Sequence, residues 1–251
     1  MVNILLSGCN GKMGKTITEC CKNFEDLQIV CGTDVNTTIT DFPVYSSPAD
    51  AKEKVDVIID FSHPSALAGI LDYAVKTNTP AVICTTGLDE NQKQAIADAS
   101  EKVAIFFSAN MSLGVNLIAE LARKATSVLG NQFDIEIVEM HHNQKIDAPS
   151  GTALMLADEI SEEFENAPKY EFDRHSKRAK RTKNEIGLHA VRGGTIVGEH
   201  EIIFAGQDEV IKISHSAMSK QIFANGSLNA AKFMAGKSAG MYSMKDIVAA
   251  M

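Results

Sequence analysis

The chain has 251 residues, 45% of them hydrophobic and 22% charged, a soluble globular composition long enough for one large or two modest domains with real cores. A formal net charge of -8 argues against nucleic acid or an anionic membrane surface as the main partner, because both select basic faces. No run approaches the roughly eighteen apolar residues of a membrane span, and Met1-Val2-Asn3-Ile4-Leu5-Leu6 lacks the basic start of a signal peptide, so a cytoplasmic location is expected.

The five cysteines are odd in number, lie between Cys9 and Cys84, and include the neighbours Cys20 and Cys21, which fits reduced thiols better than a disulfide framework. The first predicted element is the strand Asn3 to Ser7, which runs into Gly8-Cys9-Asn10-Gly11-Lys12-Met13-Gly14 and then a helix over Lys15 to Asn23. Strand, glycine turn, helix is the context of a dinucleotide loop. Gly8 allows the tight turn, Gly11 the approach of a pyrophosphate, and Gly14 close packing of helix on strand. The spacing is G-x-x-G-x-x-G, a weak signal by itself. A second strand, Leu27 to Thr33, ends at Asp34, where an acid meets the adenosine ribose hydroxyls. A carboxylate there repels a 2′-phosphate and Val35-Asn36 supplies no cation, so NADH is expected to be preferred and NADPH possible.

The alternation continues with strands Val55 to Asp60, Pro80 to Cys84 and Val103 to Phe107, and with helices Ser65 to Thr77 and Asp89 to Ser100. This predicts a Rossmann-like, doubly wound parallel sheet, an α/β architecture whose ligands bind beyond the carboxyl ends of the strands. His63, Thr85, Thr86 and Asn110 are then candidate neighbours of a nicotinamide, with His63 before Pro64 equally able to cap the following helix.

After Asn110 the pattern changes. Ser112-Leu113-Gly114 reads as a hinge, Val115 to Leu129 as a helix, and Phe133 to Met140, Ile186 to Val191, Thr195 to Ala205 and Glu209 to Ser216 as strands without helices between the last three. The expectation is a second α+β domain with an open, mainly antiparallel four-stranded sheet, spanning 113–221. The first domain, 1–112, is completed by helices Ile222 to Met234 and Ser243 to Met251 returning over residues 222–251. Apolar strand segments such as Thr195-Ile196-Val197 and Ile202-Ile203-Phe204 predict a homo-oligomer. The basic run Lys177 to Lys183 reads as a solvated loop rather than a nucleic-acid patch.

The chemistry is expected in Glu139-Met140-His141-His142-Asn143-Gln144-Lys145-Ile146-Asp147-Ala148-Pro149-Ser150-Gly151-Thr152, just past the strand end. His titrates near neutral pH, and Lys fixes an anion or donates a proton. Ser150 reads as an N-cap, and the Ser150-Gly151-Thr152 turn presents N–H groups to a carboxylate or phosphate. Metal is not expected, because His141 and His142 are adjacent and no Cys-x-x-Cys pair exists.

Together with Asp60-Phe61-Ser62, Cys84-Thr85-Thr86-Gly87, Ser108-Ala109-Asn110-Met111-Ser112-Leu113-Gly114 and Arg192-Gly193-Gly194-Thr195, the His-His-x-x-Lys-x-Asp-Ala-Pro-Ser-Gly-Thr block closely resembles the 4-hydroxy-tetrahydrodipicolinate (dihydrodipicolinate) reductase family over nearly the whole chain. The resemblance implies NAD(P)H-dependent reduction of a small cyclic imine dicarboxylate in lysine biosynthesis through diaminopimelate, by a homotetramer assembled through the second-domain sheets. It implies His141 as proton donor and acceptor, Lys145 as catalytic proton donor, and His142, Ser150, Gly151 and Thr152 as the substrate set. Gly8, Cys9, Asn10, Gly11, Lys12, Met13, Asp34, Cys84, Thr85, Thr86, Ser108, Ala109, Asn110 and Met111 match the cofactor contacts. Two departures stand out: Cys84 replaces a common glycine, which could crowd the cofactor pocket or sensitise it to oxidation, and no Arg follows Asp34. The rival readings are another nicotinamide-dependent dehydrogenase of aspartate-derived metabolites and a non-catalytic dinucleotide sensor with a regulatory anion pocket.

Overall fold

In the computed structural model, which describes residues 1–38 and 41–250, the chain opens with β1 (Val2–Ser7), α1 (Lys12–Cys21), β2 (Leu27–Thr33), β3 (Val44–Tyr45), β4 (Val57–Asp60), α2 (Leu67–Thr77), β5 (Ala81–Ile83), α3 (Glu90–Ser100) and β6 (Ala104–Phe107). It continues with α4 (Leu113–Leu129), β7 (Asp134–His141), α5 (Gly151–Ser161), β8 (Lys169–Glu171), β9 (Glu185–Arg192), β10 (Gly198–Ala205) and β11 (Val210–Ala217). The last elements are α6 (Gln221–Met234), β12 (Gly240–Tyr242) and α7 (Met244–Ala250). The predicted helix Ser243 to Met251 thus starts one residue later, with Ser243 donating its N–H and hydroxyl to Asp246, and Met251 lies outside the described residues. Two units separate by their internal contacts: Met1–Ser112 with Gln221–Met251, and Leu113–Lys220.

The first unit carries a seven-stranded sheet in the order β12-β6-β5-β4-β1-β2-β3, parallel at every pairing. The middles of its central strands are buried: Ile4, Leu5 and Leu6 in β1 and Val57, Ile58 and Ile59 in β4 have no exposed surface. Such unbroken apolar runs are what a sheet covered by helices on both faces requires. Helices α2 and α3 supply Leu67, Ile70, Leu71 and Ile96 to one core cluster with Ile58, Ile83 and Ile105, and α6 packs on β4, β5 and β6 and against α1. Asp89 caps α3 by a reciprocal capping box with Gln92, and His63 accepts from Ser65 N to cap the 3-10 turn that leads into α2. Two short strands, β3 and β12, extend the predicted sheet at its edges.

The second unit holds a five-stranded sheet, β11-β10-β7-β9-β8. The expected four strands are corrected to five by β8, and the mainly antiparallel pairing to a mixed one: β10 is antiparallel to β7 and β11, whereas β9 is parallel to β7 and β8. The cause is α5, which turns the chain back after β7 so that β8 and β9 enter in the direction of β7. One sheet face meets α4 and α5 in a core of Ile135, Ile137, Ile186, Leu188, Ile202 and Phe204 with Ile118, Ala122, Leu156 and Ile160.

Three further local expectations change. Leu113 and Gly114 begin α4 rather than forming a hinge loop. Thr195-Ile196-Val197 belongs to the β9–β10 connection, not to a strand. Helix α1 starts at Lys12, three residues early, with Gly11 in extended conformation at its N-cap. The basic run is, as expected, an exposed loop, in which only Arg181 is half-buried; within it Arg181 pairs with Asp134 and Glu136, Lys183 with Asp134, and Lys177 with Glu171. No helix among the described residues is long and apolar enough to cross a membrane.

Candidate active site

In the first unit, β6, β5, β4, β1 and β2 lie side by side and parallel, so the loops that follow them emerge at one edge of the sheet. The chain crosses from β2 and β3 on one flank of β1 to β4 on the other, which makes the β1–β4 boundary the switch point where doubly wound sheets bind ligands. A cavity of about 440 Å³ sits there, lined by Gly8, Gly11, Asp34, Phe61, Ser62 and His63 among others, within the size range of small-molecule sites.

The glycines are demanded by contacts. Gly8 has φ +77°, and a Cβ on it would lie 2.6 Å from the Phe61 carbonyl oxygen. A Cβ on Gly14 would overlap the carbonyl oxygens of Gly8 and Cys9. Helix α1 starts without a side-chain cap and without an acid in its first turn, which suits its N-terminus to a pyrophosphate. The Asp34 carboxylate accepts from Asn10 N and Asn36 N, both at 3.0 Å, tying the glycine loop to the turn after β2. These features fit a bound dinucleotide.

The neighbouring loops are held by Asp60 at the end of β4. Its buried carboxylate takes the Ser62 N–H at 3.0 Å, the Ser62 hydroxyl at 2.5 Å and the Thr85 hydroxyl at 2.7 Å. Burial pushes its carboxyl up against the opposing pull of those hydrogen bonds. Thr85 is therefore buried and occupied, whereas Thr86 is exposed. Cys84 is buried, and its thiol is pushed well up by burial and by Asp60. A protonated, enclosed thiol runs against a redox-sensitising role. Ser108 donates to the Asn110 carbonyl at 3.2 Å, Asn110 Oδ1 accepts from Ser112 N at 2.8 Å, and Met111 is buried.

In the second unit, β7 alternates cleanly, placing Ile135, Ile137, Glu139 and His141 on the buried face. The strand continues to His141, so His141 is its last residue and only His142 lies beyond. Glu139 is fully buried and saturated with donors: His141 Nδ1 at 2.6 Å, Ser150 N at 3.0 Å, and Arg192 through Nη1 at 2.8 Å and Nη2 at 2.7 Å. Burial would raise its carboxyl, but these bonds outweigh it and hold the group below the ordinary range. Lys145 pairs with Asp147 at 2.9 Å. Ser150 caps α5 by accepting from Ala153 N at 3.1 Å, and its hydroxyl also meets His200 Nε2 at 3.0 Å. With both its polar groups engaged and only 2% of its surface exposed, Ser150 presents the exposed Gly151 and the half-buried Thr152 at the helix start. The His200 and His141 rings meet edge to face at 5.2 Å, and burial and His141 push His200 down to about 4. No group of three or more His, Cys, Asp or Glu among the described residues is arranged to hold a metal.

The structure thus brings His141, Lys145, Ser150, Gly151 and Thr152 to one end of the second-unit sheet, and the glycine loop, Asp34, Cys84 to Thr86 and Ser108 to Met111 to one edge of the first. Sequence reasoning left Glu139, Arg192 and His200 without individual roles. The alternation of β7 already placed Glu139 on the face of His141, two residues away; Arg192, which faces His141 in the β7–β9 register, gave no comparable signal.

The chain is similar along nearly its whole length to one family of known proteins. Residues 2–111 match the family described as dihydrodipicolinate reductase, N-terminus, and residues 114–248 its C-terminus. The 4-hydroxy-tetrahydrodipicolinate reductase of Caldanaerobacter subterraneus subsp. tengcongensis is 50% identical over 248 residues, 99% of this chain and 98% of that one. The enzyme of the same name from Clostridium botulinum is 49% identical over 249 residues, with the same coverage. Among solved structures, a dipicolinate-bound dihydrodipicolinate reductase from Paenisporosarcina sp. TG-14 superimposes with TM-score 0.79 at 25% identity, covering 98% of this chain and 99% of the other. The chain belongs to the dihydrodipicolinate reductase family.

Proposed function

We propose that the chain performs its family's reaction, the NAD(P)H-dependent reduction of 4-hydroxy-tetrahydrodipicolinate with loss of water, using His141 and Lys145 to move protons. His142, Gly151 and Thr152 grip the substrate, and Ser150 holds the helix start that presents the last two. The observation that carries the reading is His141 at the end of β7 with its Nδ1 on buried Glu139, in the same segment as Lys145 and the capped start of α5. A small cyclic imine with two carboxylates needs cations and N–H donors, which Lys145 and the first turn of α5 offer. Loss of water leaves a conjugated ring that accepts hydride at C4 and requires a proton, and His141 or Lys145 delivers it. Bound NAD(P)H supplies the hydride.

The first unit acts as the dinucleotide-binding part and the second as the substrate-binding and assembling part. Gly8 to Met13, Asp34, Cys84 to Thr86 and Ser108 to Met111 hold the cofactor. With a carboxylate at Asp34 and no cation in Val35-Asn36, NADH is preferred over NADPH. The sheet face opposite α4 and α5 carries Val138, Met140, Val191, Ile203 and Val210, of which Val191 and Val210 are 43% and 56% exposed. Burial of that face in a homotetramer follows, and sedimentation analysis tests it. Five free, buried cysteines support a reducing, cytoplasmic setting.

Following nicotinamide absorbance with freshly made hydroxy-imine tests the activity directly, with NADH and NADPH compared side by side. Substrate-dependent oxidation, faster with NADH at low cofactor, is expected. His141→Gln should lower turnover by about 10²–10⁴-fold with NADH binding retained; unchanged turnover removes His141 from the mechanism.

A further inference from the structure

Arg192 belongs to no predicted substrate or cofactor set, yet it touches both arms of the proton-handling segment. Its Nη1 and Nη2 lie on the two Glu139 oxygens at 2.8 and 2.7 Å, and Nη2 also donates to the Asp147 carbonyl at 2.6 Å. Glu139 in turn receives His141 Nδ1, and Asp147 receives Lys145. One planar guanidinium therefore sits between His141 and Lys145, one intermediary away from each.

Glu139 is ionised and each of its oxygens carries two donors. An ionised carboxylate only accepts, so the hydrogen between it and His141 belongs to Nδ1. In the neutral ring Nε2 is then the unprotonated nitrogen, the one able to take a proton from the ring's surroundings and return it. On that side the chain keeps space: a Cβ on Gly198 would come within 3.0 Å of His141 Nε2.

We infer that Arg192 and Glu139 form a positioning pair that fixes His141 in its Nδ1–H tautomer and, through the Asp147 carbonyl, holds the Lys145 arm at the same end of β7. The role depends on the fork rather than on positive charge alone. A lysine ammonium is a point donor and cannot span both carboxylate oxygens and the Asp147 carbonyl in one plane. Glu139→Gln replaces one accepting oxygen by an NH2 group. With Arg192 still donating, the amide oxygen turns to the guanidinium and the NH2 to His141, which drives the neutral ring to its Nε2–H tautomer.

The inference rests on the catalytic reading of His141 only for its kinetic half. Ring ¹⁵N spectra of histidine-labelled protein, with the His141 signals assigned by their loss in His141→Gln, report the tautomer whether or not His141 is catalytic. The expected result is Nδ1–H in the native chain and Nε2–H in Glu139→Gln, with turnover lowered about a hundredfold or more and the KM for NADH unchanged. Arg192→Lys, which keeps the charge and volume needed to fold, should lose about tenfold or more in turnover and show a mixed tautomer. The native tautomer retained in both variants, or turnover within twofold of native in both while His141→Gln is impaired, overturns the positioning role. Full activity in His141→Gln together with the tautomer switch instead overturns the catalytic reading and leaves the pair in place.

Discussion

His200 provides the most quantitative test of the polar cluster under the loop. It is 5% exposed, and burial, with His141 beside it, lowers its pKa from 6.5 to about 4. The folded chain keeps this ring neutral at a pH where the unfolded chain already binds a proton. The unfolded state therefore gains protons first as pH falls, and stability is lost progressively from about pH 6.5 towards pH 4. With those two values, linkage gives a loss of about 0.7 kcal/mol at pH 6 and about 1.8 kcal/mol at pH 5 relative to pH 7. Glu139 works in a separate window: its depressed carboxyl contributes stability that is complete above its unfolded value of 4.5 and fades only as pH falls further through the folded value. Between pH 7 and pH 5 the native slope also contains His215, lowered by burial, and Asp60, raised by burial, so the difference between the native chain and a variant lacking His200 is what isolates this ring. Because the chain has no Trp, urea unfolding is best followed by circular dichroism, for the native chain and His200→Gln, from pH 7 to pH 5. Absolute stability can differ between the two, since the ring contact with His141 is lost; the pH slope is the readout. The native chain should lose about 1.8 kcal/mol more than the variant over this range. Slopes that agree within about 0.5 kcal/mol, the additivity error of such comparisons, refute the claim that His200 is buried neutral.

Substitutions at Gly8 and Ser150, with one at Gly87 as a control, probe key turns of the two units. Gly8→Ala faces a positive φ and a Phe61 carbonyl oxygen 2.6 Å from the new Cβ, whereas Gly87→Ala has a similar φ of +76° and nothing within 4 Å. Both pay about 1–2 kcal/mol of backbone strain, so urea unfolding should show Gly8→Ala less stable than Gly87→Ala, and NADH titration should show weakened binding only in the former. Ser150→Ala removes the cap of α5 and the hydroxyl on His200, for an expected loss of about 1–3 kcal/mol in urea and a raised substrate KM; stability within 0.3 kcal/mol of native contradicts the capping role.

Much of this molecule is readable from local pattern, and the exceptions share a cause. The glycine loop, the parallel strands and the Ser150 cap are set by residues within a few positions of one another. Buried strands announce themselves as apolar runs, and an N-cap by a short polar residue before an apolar helix. What local pattern misses is pairing at a distance. Arg192 reaches Glu139 across 53 positions and His200 reaches Ser150 across 50, and only the register of β7 with β9 and β10 brings them together. Strands β8 and β12 are three residues each, too short to show a period of two. Ser112-Leu113-Gly114 suggested a hinge because glycine weakens a helix; in the first turn, where four N–H groups lack partners within the helix anyway, that weakening counts for less. The ion-pair partners of the exposed basic run, Asp134, Glu136 and Glu171, are hidden in the same way, because they lie on strands and not beside it in sequence.

The course of β7 shows how one strand serves both stability and chemistry. Its buried face begins with Ile135 and Ile137, which join the core under α4 and α5, and ends with Glu139 and His141, which bond to one another, while Glu139 also takes Ser150 and Arg192 and His141 meets the His200 ring. Burying an unpaired carboxylate costs several kcal/mol, so Glu139 is tolerable only because four donors meet it. Those donors come from β7 itself, from the N-cap of α5 and from the end of β9. The same constraint that makes the carboxylate affordable fixes the three elements to each other at the place where His141 must be held still. A hydrophobic replacement of the whole cluster could match its stability but could not orient an imidazole, and that difference is the physical reason to expect charge at the end of this strand.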